Sequence, residues 1–412
     1  MIHYSEYTLR NGLRVVANRD RLSALAAVNM LYGVGARNEA PERTGFAHLF
    51  EHLMFRGTKL VPDFDMPVQV ACGENNAFTN NDYTDYYMTL PKDNIETALW
   101  LDRMTGLDIT PEKLAAEKSV VVEEYKQRYL NQPYGEQWLL LRALAYKVHP
   151  YRWPTIGLTP DHIREATLAD VTAFYRRYYV PSNAILAVSG DIEPERVFEL
   201  ADKWFGHLES VPAPADAFPQ EPVQREARRE EACRDVPATQ VTVALHMGGR
   251  RSPEYYCCDV MTDLLAGGTS ARLYNELVKR RRLFSAVNSY ITGDIDPGLF
   301  ILTGQLMPGV ELREGEEALW NQLERLCSEP VGDDELQKVR NKFEANMLYG
   351  EMNVMNKALN LAYYALLGEL PLVNSELEIY RGVEAGQIME TARRLFRRDR
   401  SSTLVIYGKH GE

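Results

Sequence analysis

The sequence predicts an α+β fold made of two homologous sandwich domains, each a sheet layered with helices. Three observations predict it. The chain has 412 residues, too long for one typical hydrophobic core. Residues 209–222, ESVPAPADAFPQEP, carry four prolines and no apolar periodicity, which is the composition of a linker. The segments on either side end alike, FYRRYYVPSNAILAVSGD in the first and ARRLFRRDRSSTLVIYGK in the second. Tyr178 pairs with Phe396, Asn183 with Ser401 and Gly190 with Gly408, always 218 residues apart. Residues 1–208 are therefore expected to form one domain, 209–222 a linker and 223–412 a second, related domain.

Alternating or continuous apolar runs mark the strands: LRVVANRD from Leu13, AAVNMLYGVG from Ala26, DYYMTL from Asp85 and AILAVSGD from Ala184. Helical spacing marks PEKLAAEKSVVVEEYKQRYL at 111–130 and TLADVTAFYRRYY at 167–179. Residues 333–368 read as one long helical stretch with a possible kink.

Composition excludes several classes. Hydrophobic content of 45% and charged content of 25% are ordinary for a globular protein. A net charge of -12 argues against nucleic acid as a partner. No run of about 18 apolar residues is present, so no membrane span is expected. The N-terminus, MIHYSEYTLRNGLRVV, lacks the basic and apolar regions of an export signal. A cytoplasmic location is expected, or a periplasmic one if a leader was removed ahead of residue 1. Cys72, Cys233, Cys257, Cys258 and Cys327 are odd in number and without C-x-x-C spacing, which predicts free thiols.

The chemistry concentrates in GFAHLFEHLMF, residues 45–55. Phe46, Leu49, Phe50 and Leu53 have the spacing of a core-facing helix. His48 and His52 are four apart and share one side of that helix, so their imidazoles can converge on one ion. Glu51 borders the same side. The pattern H-x-x-E-H is the inverse of the H-E-x-x-H zinc motif. A hydrolytic zinc takes three protein ligands plus water. The third is expected in AAEKSVVVEEYKQR, where Glu117 and Glu124 lie two helical turns apart on one side and Glu123 is turned roughly 100° away. One of the pair would bind the ion and the other orient a ligand. Spacing alone does not choose between them.

These segments, with GENNAFTNNDYTDYY, PTIGLTPDHIREATLADVTAFYRRYYVPSNAILAVSGD and GGTSARLYNEL, resemble the pitrilysin family of zinc peptidases (M16). The resemblance is to its short two-domain members, near mitochondrial processing peptidase and the bacterial M16B enzymes, and it extends over nearly the whole chain. It implies the duplicated fold of those metallohydrolases, with each chain forming half of a clam-shell dimer. It implies zinc on His48, His52 and Glu124, with Glu51 as catalytic base and Glu117 as a further functional glutamate. Asn76 and Ala77 match a strand whose edge pairs with a peptide substrate.

The sequence departs from the family in its second half. Active relatives carry an arginine and, seven residues on, a tyrosine that grip the substrate. Val278 and Ser285 stand at those places. The resemblance therefore implies a heterodimer in which a second M16-type subunit supplies the two donors, or a homodimer that uses another donor. Counting 213 residues from the motif places Met261, Leu264 and Leu265 where His48, Glu51 and His52 stand, so the second half is expected to hold no metal. The activity expected is endopeptidase action on unstructured peptides. The alternatives are a non-catalytic scaffold subunit and a dedicated precursor-processing peptidase.

Overall fold

The computed structural model describes residues 1–59, 61–101 and 107–408; His410 and the other residues after 408 in the expected second domain lie outside them. The described strands are β1 (Ser5–Thr8), β2 (Arg14–Arg19), β3 (Leu25–Tyr32), β4 (Glu74–Thr79), β5 (Thr84–Pro91), β6 (Ala184–Gly190), β7 (Arg228–Arg234), β8 (Gln240–His246), β9 (Phe284–Ile291), β10 (Leu299–Leu306) and β11 (Ser401–Gly408). They form two sheets, ordered β1-β2-β6-β3-β5-β4 and β7-β11-β8-β10-β9.

The two sheets share one plan. In the first, β2 runs parallel to β6, and the β6–β3, β3–β5 and β5–β4 pairs are antiparallel. In the second, β7 runs parallel to β11, and the β11–β8, β8–β10 and β10–β9 pairs are antiparallel. The first sheet adds only the flanking strand β1. The repeated segment ending at Gly190 and Gly408 supplies β6 and β11, which hold equivalent places.

The chain divides into two compact units, neither of them one continuous stretch. The first gathers Met1–Tyr125, Trp153–Phe218 and Leu348–Ser375. The second gathers Lys126–Arg152, Pro219–Met347 and the chain from Glu376 onward. In the first unit, helix Val354–Leu367 packs on β3 and β6, burying Ala358, Leu361, Ala362 and Ala365. Its alanines let the helix approach closely, and the Arg14 guanidinium donates to the Ala365 carbonyl near its end at 2.5 Å. Strand β6 is buried at every residue, as expected of a strand covered on both faces. In the second unit, helix Gln137–Ala145 plays the matching part, packing Leu141 and Ala145 against Ala244, Ile301, Leu404 and Ile406. Each half of the sequence thus lends a helix to the other half's sheet.

The long stretch at 333–368 is two helices, Asp333–Gly350 and Val354–Leu367. Asn353 separates them by accepting the Met355 N–H on its side chain, which starts the second helix. The stretch at 111–130 is α-helical over Pro111–Tyr125 and then widens to π-helical turns over Lys126–Leu130. All five cysteines are free. Among the described residues no helix is long and apolar enough to cross a membrane.

Candidate metal centre

The motif forms helix Phe46–Met54. Its apolar side buries Phe46, Leu49, Phe50 and Leu53, and the Phe50 ring stacks on Phe174, Tyr175 and Tyr179. That packing fixes the helix about its axis and turns His48 and His52 the other way, toward helix Pro111–Tyr125.

The start of the motif helix is held by a residue outside it. Gly45 adopts a left-handed φ of 89°, and a Cβ there would meet the Ile156 carbonyl oxygen at 2.6 Å. With no side chain at that cap, Glu39 reaches in. Its carboxylate accepts the Gly45 N–H at 2.7 Å and the Ala47 N–H at 2.8 Å, one on each oxygen. Burial raises the Glu39 carboxyl to about 8, against these donors, which pull it down.

Helix Pro111–Tyr125 buries Leu114, Glu117, Val121, Val122 and Tyr125, and the Tyr125 hydroxyl anchors its end on the Leu158 carbonyl at 2.9 Å. Glu123 is exposed. Glu124 Oε2 lies 3.2 Å from His52 Nε2 and 3.6 Å from His48 Nε2. The two imidazole rings stand 4.8 Å apart and nearly edge to face, at 73°. One donor atom from each of His48, His52 and Glu124 lies within 4.8 Å of the others.

These separations fit a zinc ion. Ligand atoms at tetrahedral angles and zinc's usual bond lengths stand roughly 3.3 Å apart. The His–Glu distances of 3.2 and 3.6 Å bracket that value. Two imidazoles and one carboxylate are a donor set of hydrolytic zinc sites, which leaves a fourth position for water.

The far side of His52 is also engaged. Its Nδ1 lies 3.3 Å from Glu117 Oε2, and Glu117 Oε1 accepts from the Arg56 guanidinium. Burial opposes charge on His52, but the bonds to Glu117 and Glu124 outweigh it and raise the imidazole to about 9. Burial also works against a charged Glu117, yet His52 and Arg56 hold its carboxyl below the usual range. Glu51 Oε2 accepts the Thr79 hydroxyl at 2.6 Å.

His48, His52, Glu117 and Glu124 are thus gathered in one place in the first unit, and Glu51 stands on the motif helix between the two histidines. Asn76 and Ala77 lie on β4, the outer strand of the sheet, which the motif helix touches. The Ala77 N–H turns to Asn76 Oδ1 at 2.8 Å. Three residues in the arrangement went unread in the sequence: Glu39, Arg56 and Thr79. Arg56 stands four after His52, in the turn that follows the helix end at Met54, a spacing that was open to the sequence. Thr79 lies inside the quoted GENNAFTNNDYTDYY, three residues after Asn76. Glu39 bonds across a loop and leaves no local pattern.

In the second unit, Met261, Leu264 and Leu265 are fully buried in the core. Val278 packs against that core, and the Ser285 hydroxyl on β9 donates to the Gln305 carbonyl at 3.2 Å.

Known proteins match this chain along its length. Residues 14–154 match the family model described as Insulinase (Peptidase family M16), and residues 165–343 match the one described as Peptidase M16 inactive domain. The zinc protease PqqE of Helicobacter pylori is 29% identical, covering 98% of this chain and 92% of that protein. A protein of Bacillus subtilis described as uncharacterized zinc protease YmxG is 25% identical, covering 97% of each. A crystal structure of a protease from Helicobacter pylori superposes with a TM-score of 0.93 at 29% identity, covering 98% of this chain and 100% of that one.

Proposed function

Because the chain belongs to peptidase family M16, we propose that it is a zinc-dependent endopeptidase acting on unstructured peptides. The observation that carries this reading is the convergence of His48, His52 and Glu124 within 4.8 Å, beside Glu51 and the outer strand β4. His48 and His52 would hold zinc through Nε2, and Glu124 through its carboxylate. Zinc bound there supplies Lewis acidity toward a peptide carbonyl and toward water. The Glu51 carboxylate takes the proton of the attacking water and delivers it to the leaving amine. Glu117 orients His52 from its far nitrogen. The peptide lies along β4 near Asn76 and Ala77 as an added strand, held by main-chain hydrogen bonds. Such binding reads backbone more than side chains, so sequence preference is broad.

The second part of the proposal concerns a partner. Val278 and Ser285 occupy the places of the substrate-gripping arginine and tyrosine, and neither replaces them. Loss of one such donor costs a hundredfold or more in rate, on the order of 3 kcal/mol. We therefore read this chain as the catalytic half of a heterodimer whose second M16-type chain supplies both groups. A homodimer with another donor is the competing arrangement. A scaffold subunit would have no use for His48, Glu51, His52 and Glu124 together.

The test is hydrolysis of quenched fluorescent peptides by the purified chain alone, with metal content measured on the same sample and Glu51→Gln as control. One bound zinc with weak turnover, abolished in the control, supports the catalytic half-enzyme. Strong turnover that vanishes in the control keeps the peptidase and removes the need for a different partner. Turnover that survives Glu51→Gln overturns the assignment of the base.

A further inference from the structure

Glu117 and Glu124 stand seven residues apart on one helix, and both face the motif helix. Either carboxylate has the chemistry of a zinc ligand, yet they are used differently. Glu124 Oε2 faces both histidine Nε2 atoms. Glu117 Oε2 instead meets His52 Nδ1, and Arg56 lays its Nε and a terminal nitrogen against Glu117 Oε1. The Glu117 side chain is 3% exposed, whereas that of Arg56 is 48% exposed and enters from the rim.

We propose that Arg56 is a positioning residue that commits Glu117 to the outer side of His52, leaving Glu124 as the one carboxylate on the metal. This rests on the zinc reading above. A guanidinium stays charged at any working pH, and its fork can give two donors to one carboxylate. It therefore holds a nearly sealed anion that water cannot solvate. Taking away one partner of a buried charge leaves the other uncompensated, so the remaining group must find a new one. With Arg56 gone, the strongest cation within reach of Glu117 is the metal. Glu117 then turns inward and fills the position that hydrolysis needs for water. Arg56 also sets the local charge. The carboxylates of Glu51, Glu117 and Glu124 less one guanidinium leave two negative charges, the complement of a divalent ion.

Cobalt substitution tests this without any need for turnover, because the visible bands of Co(II) are intense at four-coordinate sites and weak at higher coordination. At saturating cobalt the unaltered chain should give the intense bands. Arg56→Met should lose intensity severalfold as Glu117 joins the ion. In a Glu117→Gln background, Arg56→Met should change nothing. Circular dichroism checks the fold, and Arg56→Gln, which also lacks the charge, replaces the methionine variant if that one does not fold. An unchanged spectrum in a folded Arg56 variant overturns the proposal, as does an equal loss in the Glu117→Gln background. If the unaltered chain takes up no cobalt, the metal reading itself falls and this inference falls with it.

Discussion

His52 stands between two carboxylates, with its Nε2 3.2 Å from Glu124 and its Nδ1 3.3 Å from Glu117. On the proposed zinc reading, one ring would face a ligand on one side and an orienting partner on the other. The two glutamates should respond differently to the same change. Glu124→Gln should abolish stoichiometric zinc binding. Glu117→Gln should keep one zinc per chain but weaken its affinity by about 10–100-fold. Competition against a chelator of known affinity separates these results, and equal losses would contradict the division of roles.

Thr79 joins the outer strand to Glu51, the proposed base, since its hydroxyl bonds that carboxylate at 2.6 Å. Thr79→Val should lower kcat by about tenfold, the scale set by a hydrogen bond to a charged group. KM and zinc content should hold. Thr79→Ser should restore the rate, because it returns the hydroxyl. An equal loss in the serine variant would assign the effect to packing.

Glu39 gives a pH dependence of stability. Its folded carboxyl is raised from 4.5 to about 8, so the folded chain holds a proton that the unfolded chain releases earlier. The stability from this residue is full below pH 4.5 and is lost as pH rises through about 8. Glu39→Gln cannot ionise. Its melting temperature should therefore fall less between those pH values than that of the unaltered chain. At pH 4 it should start lower, since one of the two N–H bonds at the helix start is lost, at about 1 kcal/mol. Parallel melting curves across pH would contradict this.

The partner proposal predicts a gain. Val278→Arg combined with Ser285→Tyr should raise peptide turnover of the lone chain by about tenfold or more. Each single substitution should do less, because the two groups act on one substrate. Initial rates on a flexible peptide decide this, with Glu51→Gln as the background control.

His48, Glu51 and His52 were legible because a helix places positions three and four apart on one side, which needs no tertiary information. The repeat was legible because β6 and β11 keep their apolar runs at a constant offset. The division of roles between Glu117 and Glu124 was open to spacing, since both lie on the same side of their helix. In the structure Arg56 bonds Glu117 through a contact spanning 61 residues of sequence, and the proposed division rests on that contact. The exchanged helices were illegible for a similar reason. The apolar side of Gln137–Ala145 shows that it covers something, but not that it covers β7, β8 and β11. The kink allowed in 333–368 is a full break at Asn353, which spacing could not place because the apolar pattern continues on both sides of the cap.

The most direct test of the central claim is zinc titration of the chain stripped of metal, followed by calorimetry, beside His52→Ala and Glu124→Gln. The account predicts one zinc per chain and loss of that binding in both variants, with the second unit contributing none. No zinc bound, or one zinc retained when either residue is replaced, would contradict it.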